Sequence, residues 1–131
     1  MDVAATAAAI ADAPLSKAAA PDSFNFLPVL LGKPGAHPRD NLVVMSGTGE
    51  MAIVQGSWKY IPDLAMADGW KSGKAVPGAK PAGPGLYHLT ADPGETKNLH
   101  ATKPEISRRM NGLLESARAA ASTRPASATK P

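Results

Sequence analysis

Large apolar residues occur in short runs along the middle of the chain, and a glycine, proline or serine lies within two residues of each run. Runs of this length, rich in β-branched and aromatic residues, are typical of strands, and they occupy residues 42–45, 51–54, 58–61 and 86–89. In the third run, Trp58 and Tyr60 alternate with Lys59, which fits an antiparallel sheet with one face in solvent. The pattern predicts a small antiparallel sheet of about four strands.

Two further stretches carry helical signals. Residues 2–13 are dense in alanine, the residue with the highest helix propensity, and Pro14 prevents the helix from continuing. Thr102 and Glu105 have capping-box spacing with Pro104 in the first turn, and the residues that follow, to about 120, place apolar side chains at helical spacing. Between the first helix and the sheet, residues 23–32 contain six large apolar residues and fit a short helical turn. We therefore expect an α+β fold.

Glycine, proline and lysine without any periodicity mark the segment 63–84, between the third and fourth strands. A loop of that length in a small domain is normally a binding loop or a disordered insertion, and its one aromatic residue, Trp70, is expected to tether it to a surface. Ser, Thr, Pro and Ala predict a disordered tail at 122–131. We therefore divide the chain into an N-terminal helix and linker (1–32), a subdomain that contains the sheet and the last helix (33–121), and that tail.

Composition narrows the classes of protein to consider. The chain has 131 residues, with 12 Gly, 13 Pro and only 5% aromatic residues, so a large enclosed pocket is not expected. The net charge is +3, but the 14 Lys and Arg are scattered without interleaved aromatic residues, which argues against nucleic-acid binding. The sequence contains no run of about 18 apolar residues, so it predicts no membrane span. The absence of cysteine excludes disulfides and thiolate metal sites.

The alanine-rich N-terminus does not fit a signal peptide. Asp2 stands where a basic region is expected, and Asp12 interrupts the apolar stretch. The compartment stays open, because a signal on a longer parent protein would lie upstream of this sequence.

Residues that could carry chemistry are few. Asp92-Pro93-Gly94-Glu95 could be a carboxylate pair, but its order of residue types is that of a turn. The three histidines, His37, His88 and His100, have no metal-ligand spacing and are interpreted as surface residues. The sequence has no G-x-S-x-G nucleophile motif and no glycine pattern that cradles phosphate. The residues alone predict neither a catalytic set nor a metal site.

The order of several segments goes further, because it resembles the C-terminal subdomain of type I sulfatases, the arylsulfatase-like members of the alkaline phosphatase superfamily. The strongest match is the segment 86–99, which precedes the last helix in that family as it does here. The other matching segments are residues 2–6, 22–32, 39–44, 51–61 and 68–70. The resemblance implies that the sheet packs against the last helix and that both lie against a large α/β catalytic domain.

That family places its chemistry outside this region. Its sulfatases use a formylglycine made from Cys or Ser in a C/S-x-P-x-R motif, together with calcium, and this sequence has no such motif. The resemblance implies a C-terminal fragment of a sulfuric ester hydrolase that contributes structure and one rim of the substrate cleft, and that is inactive alone. It places Met45, Ser46 and Trp70 nearest to the substrate, although Met45 stands where a polar residue is frequent in the family.

Partners and an alternative function follow from the same residues. The expected partner is a catalytic sulfatase domain, if that domain is encoded separately. Without it, apolar surface on residues 2–13 and 24–31 would be exposed, which predicts marginal stability and self-association. The alternative is a freestanding module that binds anionic glycans through Lys71, Lys74 and Lys80 in the long loop.

Overall fold

The computed structural model describes residues 2–16, 18–36, 39–47, 49–64, 83–120 and 123–124. The loop predicted at 63–84, with Trp70 and its lysines, lies outside the described residues except at its two ends. The predicted tail at 122–131 is described at Thr123 and Arg124 alone. The chain forms two compact units, Asn41–Ser116 and a second unit made of Met1–Asp40 with Ala117–Pro131.

The first unit contains a four-stranded antiparallel sheet whose strands follow one another in chain order. The strands are β1 (Leu42–Met45), β2 (Met51–Gln55), β3 (Trp58–Ile61) and β4 (Gly85–His88). Val43 faces Ile53, and Ile53 faces Tyr60, which in turn faces Leu86. Consecutive strands therefore pair throughout the sheet. The predicted α+β fold is confirmed.

One face of the sheet packs against a long helix, which begins at Pro104 and ends at Ala119. Ile53, Tyr60 and Leu86 from the sheet form a buried cluster with Met110 and Leu114 from this helix. The apolar residues of the helix recur every three or four positions, so they lie on one side and leave the arginines in solvent. Burial of this stripe stabilises the unit.

The opposite face of the sheet is partly buried, so the prediction that this face lies in solvent is wrong. Ala52, Ile61 and Tyr87 are buried there, with Leu64 and Leu89 packed against them. A Cβ atom at Gly85 would lie 2.8 Å from Leu64 Cδ2 and 2.8 Å from Tyr87 Cε2. Glycine at this position therefore lets the Tyr87 ring and Leu64 cover the β4 end of the sheet.

The second unit contains two helices, α1 (Val3–Ile10) and the short α2 (Leu27–Leu30), so the long helix of the first unit is α3. Helix α1 ends before the predicted residue 13 because Asp12 adopts a φ of +48°. The N–H of Ala13 then donates to the carbonyl oxygen of Ala8 at 2.9 Å, as in a Schellman cap. Helix α2 ends in the same way, with Gly32 at a φ of +64°.

Side chains tie α1 to the segment that precedes α2. The N–H of Ala5 donates to the Ser23 hydroxyl at 2.9 Å, and the N–H of Phe26 donates to the Thr6 hydroxyl at 2.9 Å. The N–H of Phe24 donates to the Asp2 carboxylate at 3.0 Å. These contacts explain why the segments 2–6 and 22–26 occur together, since each supplies acceptors for backbone N–H groups of the other.

Within the part of the chain that the structure describes, no helix combines the length and the apolar character needed to cross a bilayer.

Candidate functional site

A groove of about 420 Å³ lies beside the β1–β2 hairpin, on the sheet face opposite α3. Its apolar wall is formed by Val44, Ala52 and Ile61, and Glu50 and Lys59 add charged groups. Residues 44, 52, 59 and 61 share one face of the sheet because antiparallel pairing places alternate side chains on the same side. The groove combines an apolar floor with a charged margin.

Met45 and Ser46, two of the residues expected near a substrate, both line this groove. Met45 is 63% exposed although it lies at the end of a strand. The Ser46 hydroxyl accepts a hydrogen bond from the N–H of Glu50 at 3.1 Å, and the Ser46 N–H donates to the Glu50 carbonyl oxygen at 2.8 Å. Ser46 thus holds the hairpin loop in shape. The third expected residue, Trp70, lies outside the described residues.

An ion pair borders the groove. Lys59 Nζ lies 2.7 Å from Glu95 Oε1 and 2.8 Å from Glu95 Oε2, and both side chains are less than one-third exposed. The paired carboxylate neutralises the ammonium group, so Lys59 is not a free cation for an anionic ligand. The sequence interpretation missed this pair because the two residues are 36 positions apart.

Glu95 reaches Lys59 because of the turn that precedes it. The N–H of Glu95 donates to the Asp92 carbonyl oxygen at 3.1 Å, which confirms the turn predicted for residues 92–95. Glu95 has a φ of +53°, a backbone conformation that residues other than glycine rarely adopt. The backbone N–H groups of Lys97 and Thr96 donate to the Asp92 carboxylate and lower its pKa below the ordinary value, and the bond from Lys97 has the larger effect. Asp92 is therefore a turn residue whose oxygens are engaged by the backbone.

Asn98 closes the outer edge of β4. Its Oδ1 accepts from the N–H of Leu86 at 3.1 Å and from the N–H of His100 at 2.9 Å, while its Nδ2 donates to the Pro84 carbonyl oxygen at 3.1 Å. The next residue, Leu99, donates its N–H to the Leu86 carbonyl oxygen at 2.8 Å. Asn98 thus satisfies backbone groups that an edge strand would otherwise leave unpaired.

The described histidines have structural contacts. The His88 ring meets the Trp58 ring edge-on with 4.6 Å between centroids, and His88 Nδ1 accepts from the Ala91 N–H at 3.3 Å. His100 Nδ1 lies 3.1 Å from the hydroxyl of Ser107, which is buried. His37 lies outside the described residues. Among the residues that are described, no three His, Cys, Asp or Glu side chains are grouped so that they could hold a metal ion.

The second unit carries a separate apolar face. Val3 is 75% exposed, Ile10 is 65% exposed and Leu30 is 68% exposed. With Ala7 and Phe26 these three residues line a shallow depression along α1 and α2. We call these five residues the α1–α2 apolar face. Large apolar side chains exposed together at this level are typical of a surface that another polypeptide covers.

Comparison with known proteins gives one consistent result. The chain is 37% identical to the N-acetylgalactosamine-6-O-sulfatase of Bacteroides thetaiotaomicron over 118 residues, which cover 88% of this chain and 22% of that protein. Its fold matches a solved sulfatase structure, described in connection with the metabolism of multiple glycosaminoglycans by the same organism. That match has a TM-score of 0.71 and 34% identity, and covers 91% of this chain and 24% of the other. No protein-family model matches the sequence.

Proposed function

We propose that the chain completes a sulfuric ester hydrolase and hydrolyses nothing alone. The ordered segments of its sequence predict a C-terminal portion of a sulfatase, and both comparisons support that assignment. The chain spans less than a quarter of the length of the two sulfatases it matches. The chemistry would then reside in sulfatase sequence that the 131 residues do not contain, on the same polypeptide or on another.

The proposed inactivity follows from the reaction. Hydrolysis of a sulfate ester needs a nucleophile, a cation that stabilises charge on the sulfuryl oxygens, and an acid for the leaving oxygen. The sequence has no cysteine and no C/S-x-P-x-R motif from which formylglycine could be made. Among the described residues, the carboxylates and histidines do not group into a metal site. We therefore propose that formylglycine and calcium belong to a catalytic part outside these 131 residues.

The α1–α2 apolar face is the observation that supports a structural role. Its exposed side chains belong to helices that are capped and tied together by Ser23, Thr6 and Asp2. The face is therefore held by specific hydrogen bonds although it is exposed. We propose that the catalytic part of a sulfatase covers it, and that the chain self-associates through the same face when that part is absent.

The groove at Met45 and Ser46 is proposed to form one rim of the substrate cleft of the assembled enzyme. Its exposed methionine and the charged groups beside it would contact groups of the substrate away from the sulfate. A change at Met45 should therefore alter substrate binding more than the chemical step. Met45→Glu is expected to raise the KM of the assembled enzyme and to leave kcat nearly unchanged.

Reconstitution tests the proposal. The chain and a catalytic sulfatase part that lacks this region are purified separately, and each is assayed alone and mixed. The substrates are a chromogenic aryl sulfate and 6-O-sulfated N-acetylgalactosamine, the class named for the Bacteroides relative. We expect activity only in the mixture. Turnover by the chain alone, or an equally active catalytic part without the chain, would contradict the proposal.

Charge placed on the apolar face provides a sharper version of the same test. Ile10→Asp and Leu30→Asp should each abolish the gain in activity on mixing, because a carboxylate would be buried at the contact. Ala4→Asp adds the same charge at an exposed position of the same helix and should complement normally. Equal complementation by all three variants would show that this face is not the contact.

The alternative of a freestanding module that binds anionic glycans depends on Lys71, Lys74 and Lys80, which lie outside the described residues. Calorimetric titration with a sulfated glycan at low salt tests it directly.

A further inference from the structure

The two described residues near the C-terminus bind back to the segment before α2. The N–H and the hydroxyl of Thr123 both donate to Asp22 Oδ1, at 2.9 and 2.8 Å. The N–H of Arg124 donates to the Pro21 carbonyl oxygen at 3.1 Å. Its guanidinium Nη2 donates to the carbonyl oxygens of Ser16 at 2.8 Å and Ala19 at 3.1 Å. Five hydrogen bonds thus join residues about a hundred positions apart in the chain.

The segment they hold is strained. Ala20 has a φ of +50°, a left-handed conformation that residues other than glycine and asparagine rarely adopt. Such a residue persists only where its surroundings impose it. The N–H of Ser23 donates to the Ala20 carbonyl oxygen at 3.0 Å, and Arg124 binds the carbonyl of the preceding residue, Ala19. The contacts from Arg124 therefore fall on the part of the segment that needs external support.

The same segment caps α1. Asp22, which receives both Thr123 bonds, directly precedes Ser23, whose hydroxyl accepts from the Ala5 N–H. Arg39 adds contacts to the same segment. It pairs with the Asp2 carboxylate, donates to the Asp22 carbonyl oxygen at 3.2 Å, and its guanidinium carbon lies 4.2 Å from the Phe24 ring centroid.

We propose that Thr123 and Arg124 form a C-terminal clasp, which holds the segment 18–24 in the conformation that caps α1. Release of the clasp frees the strained Ala20 turn and loosens Ser23 and Phe24 from the helix. Thr123 and Arg124 then control how well the helices α1 and α2 are held together. Every contact lies within this chain, so the clasp does not depend on the proposed sulfatase role.

Hydrogen exchange on the full chain tests the clasp. Thr123→Ala combined with Arg124→Ala should accelerate exchange of the Ala5 and Phe24 amides about tenfold, as the loss of two or more hydrogen bonds predicts. The amides of β2 and β3 should keep their rates and serve as the internal reference. Arg109→Ala, which removes an exposed arginine from α3, is the matched control and should change neither set.

Two results would overturn the clasp. One is unchanged exchange at Ala5 and Phe24 in the double variant. The other is an equal acceleration in β2 and β3, which would indicate general destabilisation. A double-mutant cycle between Asp22→Asn and Thr123→Val gives an independent measurement. We expect the two substitutions to be non-additive in the exchange rate of the Ala5 amide, and strict additivity would contradict a direct contact.

Discussion

The hydroxyl oxygen of Ser23 accepts a hydrogen bond from the backbone N–H of Ala5 at 2.9 Å, across 18 positions of sequence. Both residues are buried. The N–H of Ala5 belongs to the first turn of α1, where the helix itself provides no acceptor. Asp2 occupies the position before the helix, but its side chain makes no capping bond there and accepts from Phe24 instead. Helix α1 is therefore capped by a residue of another segment.

Removal of this cap should destabilise the unit that contains α1. Ser23→Ala is expected to lower the free energy of unfolding by about 1 to 2 kcal/mol, the usual cost of losing an N-terminal cap or leaving a buried N–H unpaired. Urea unfolding measures the loss. Ser116→Ala, which replaces an exposed serine in α3 whose hydroxyl donates to the Gly112 carbonyl oxygen, is the control and should cost nothing. Equal stability of the two variants would contradict the capping role.

Two glycines should respond in opposite directions to the same substitution. Gly85→Ala places a Cβ atom 2.8 Å from Leu64 and from Tyr87, and should cost about 1 to 3 kcal/mol as an overpacked site. Gly112 lies in α3, and a Cβ atom added there would meet no side chain within 4 Å, so Gly112→Ala should gain about 0.5 to 1 kcal/mol of helix stability. Thermal unfolding of both variants measures the two effects. A stabilised Gly85→Ala variant would show that the Tyr87 ring does not occupy this position.

Asn98 should be difficult to replace because its side-chain amide accepts hydrogen bonds through Oδ1 and donates one through Nδ2. Asn98→Ala loses bonds to Leu86, His100 and Pro84 and should cost about 1 to 3 kcal/mol in urea unfolding. Asn98→Asp keeps the two acceptor bonds and loses only the donor bond to Pro84, so it should retain part of that stability. The expected order is native, Asp and then Ala, and an Asp variant no better than Ala would contradict the assignment of Oδ1 as the acceptor.

Acid should weaken two turns. Backbone hydrogen bonds lower the pKa of Asp92, chiefly from Lys97, and of Asp22, chiefly from Thr123, below their ordinary value of 3.8. A carboxyl group with a lowered folded-state pKa stabilises the fold above its unfolded-state pKa, and this contribution is lost as the pH falls through the folded-state value. The native chain should therefore be more stable than Asp92→Asn at neutral pH, and the difference should shrink below about pH 4. An undiminished difference in strong acid would contradict this.

The strands and the last helix were predictable from the sequence because their signals are local. The runs at residues 42–45 and 58–61 coincide with β1 and β3, and the helix predicted to begin just after Thr102 and to run to about residue 120 spans Pro104–Ala119. The groove residues Met45 and Ser46 were singled out by resemblance to sulfatases, and they do line one groove. The ion pair between Lys59 and Glu95 at the border of this groove could not be predicted, since no local pattern relates a lysine in a strand to a glutamate in a distant turn.

The sequence by itself determined the positions of the strands and helices along the chain, the apolar stripe of α3 and the resemblance to sulfatases, because each depends on residues that are neighbours or recur at a fixed spacing. Only the tertiary structure decided that Ser23 caps α1, that Asn98 closes the β4 edge and that Tyr87 covers the second face of the sheet. These are contacts between a side chain and atoms many residues away. Their formation depends on where the chain returns in space, and no periodicity records that.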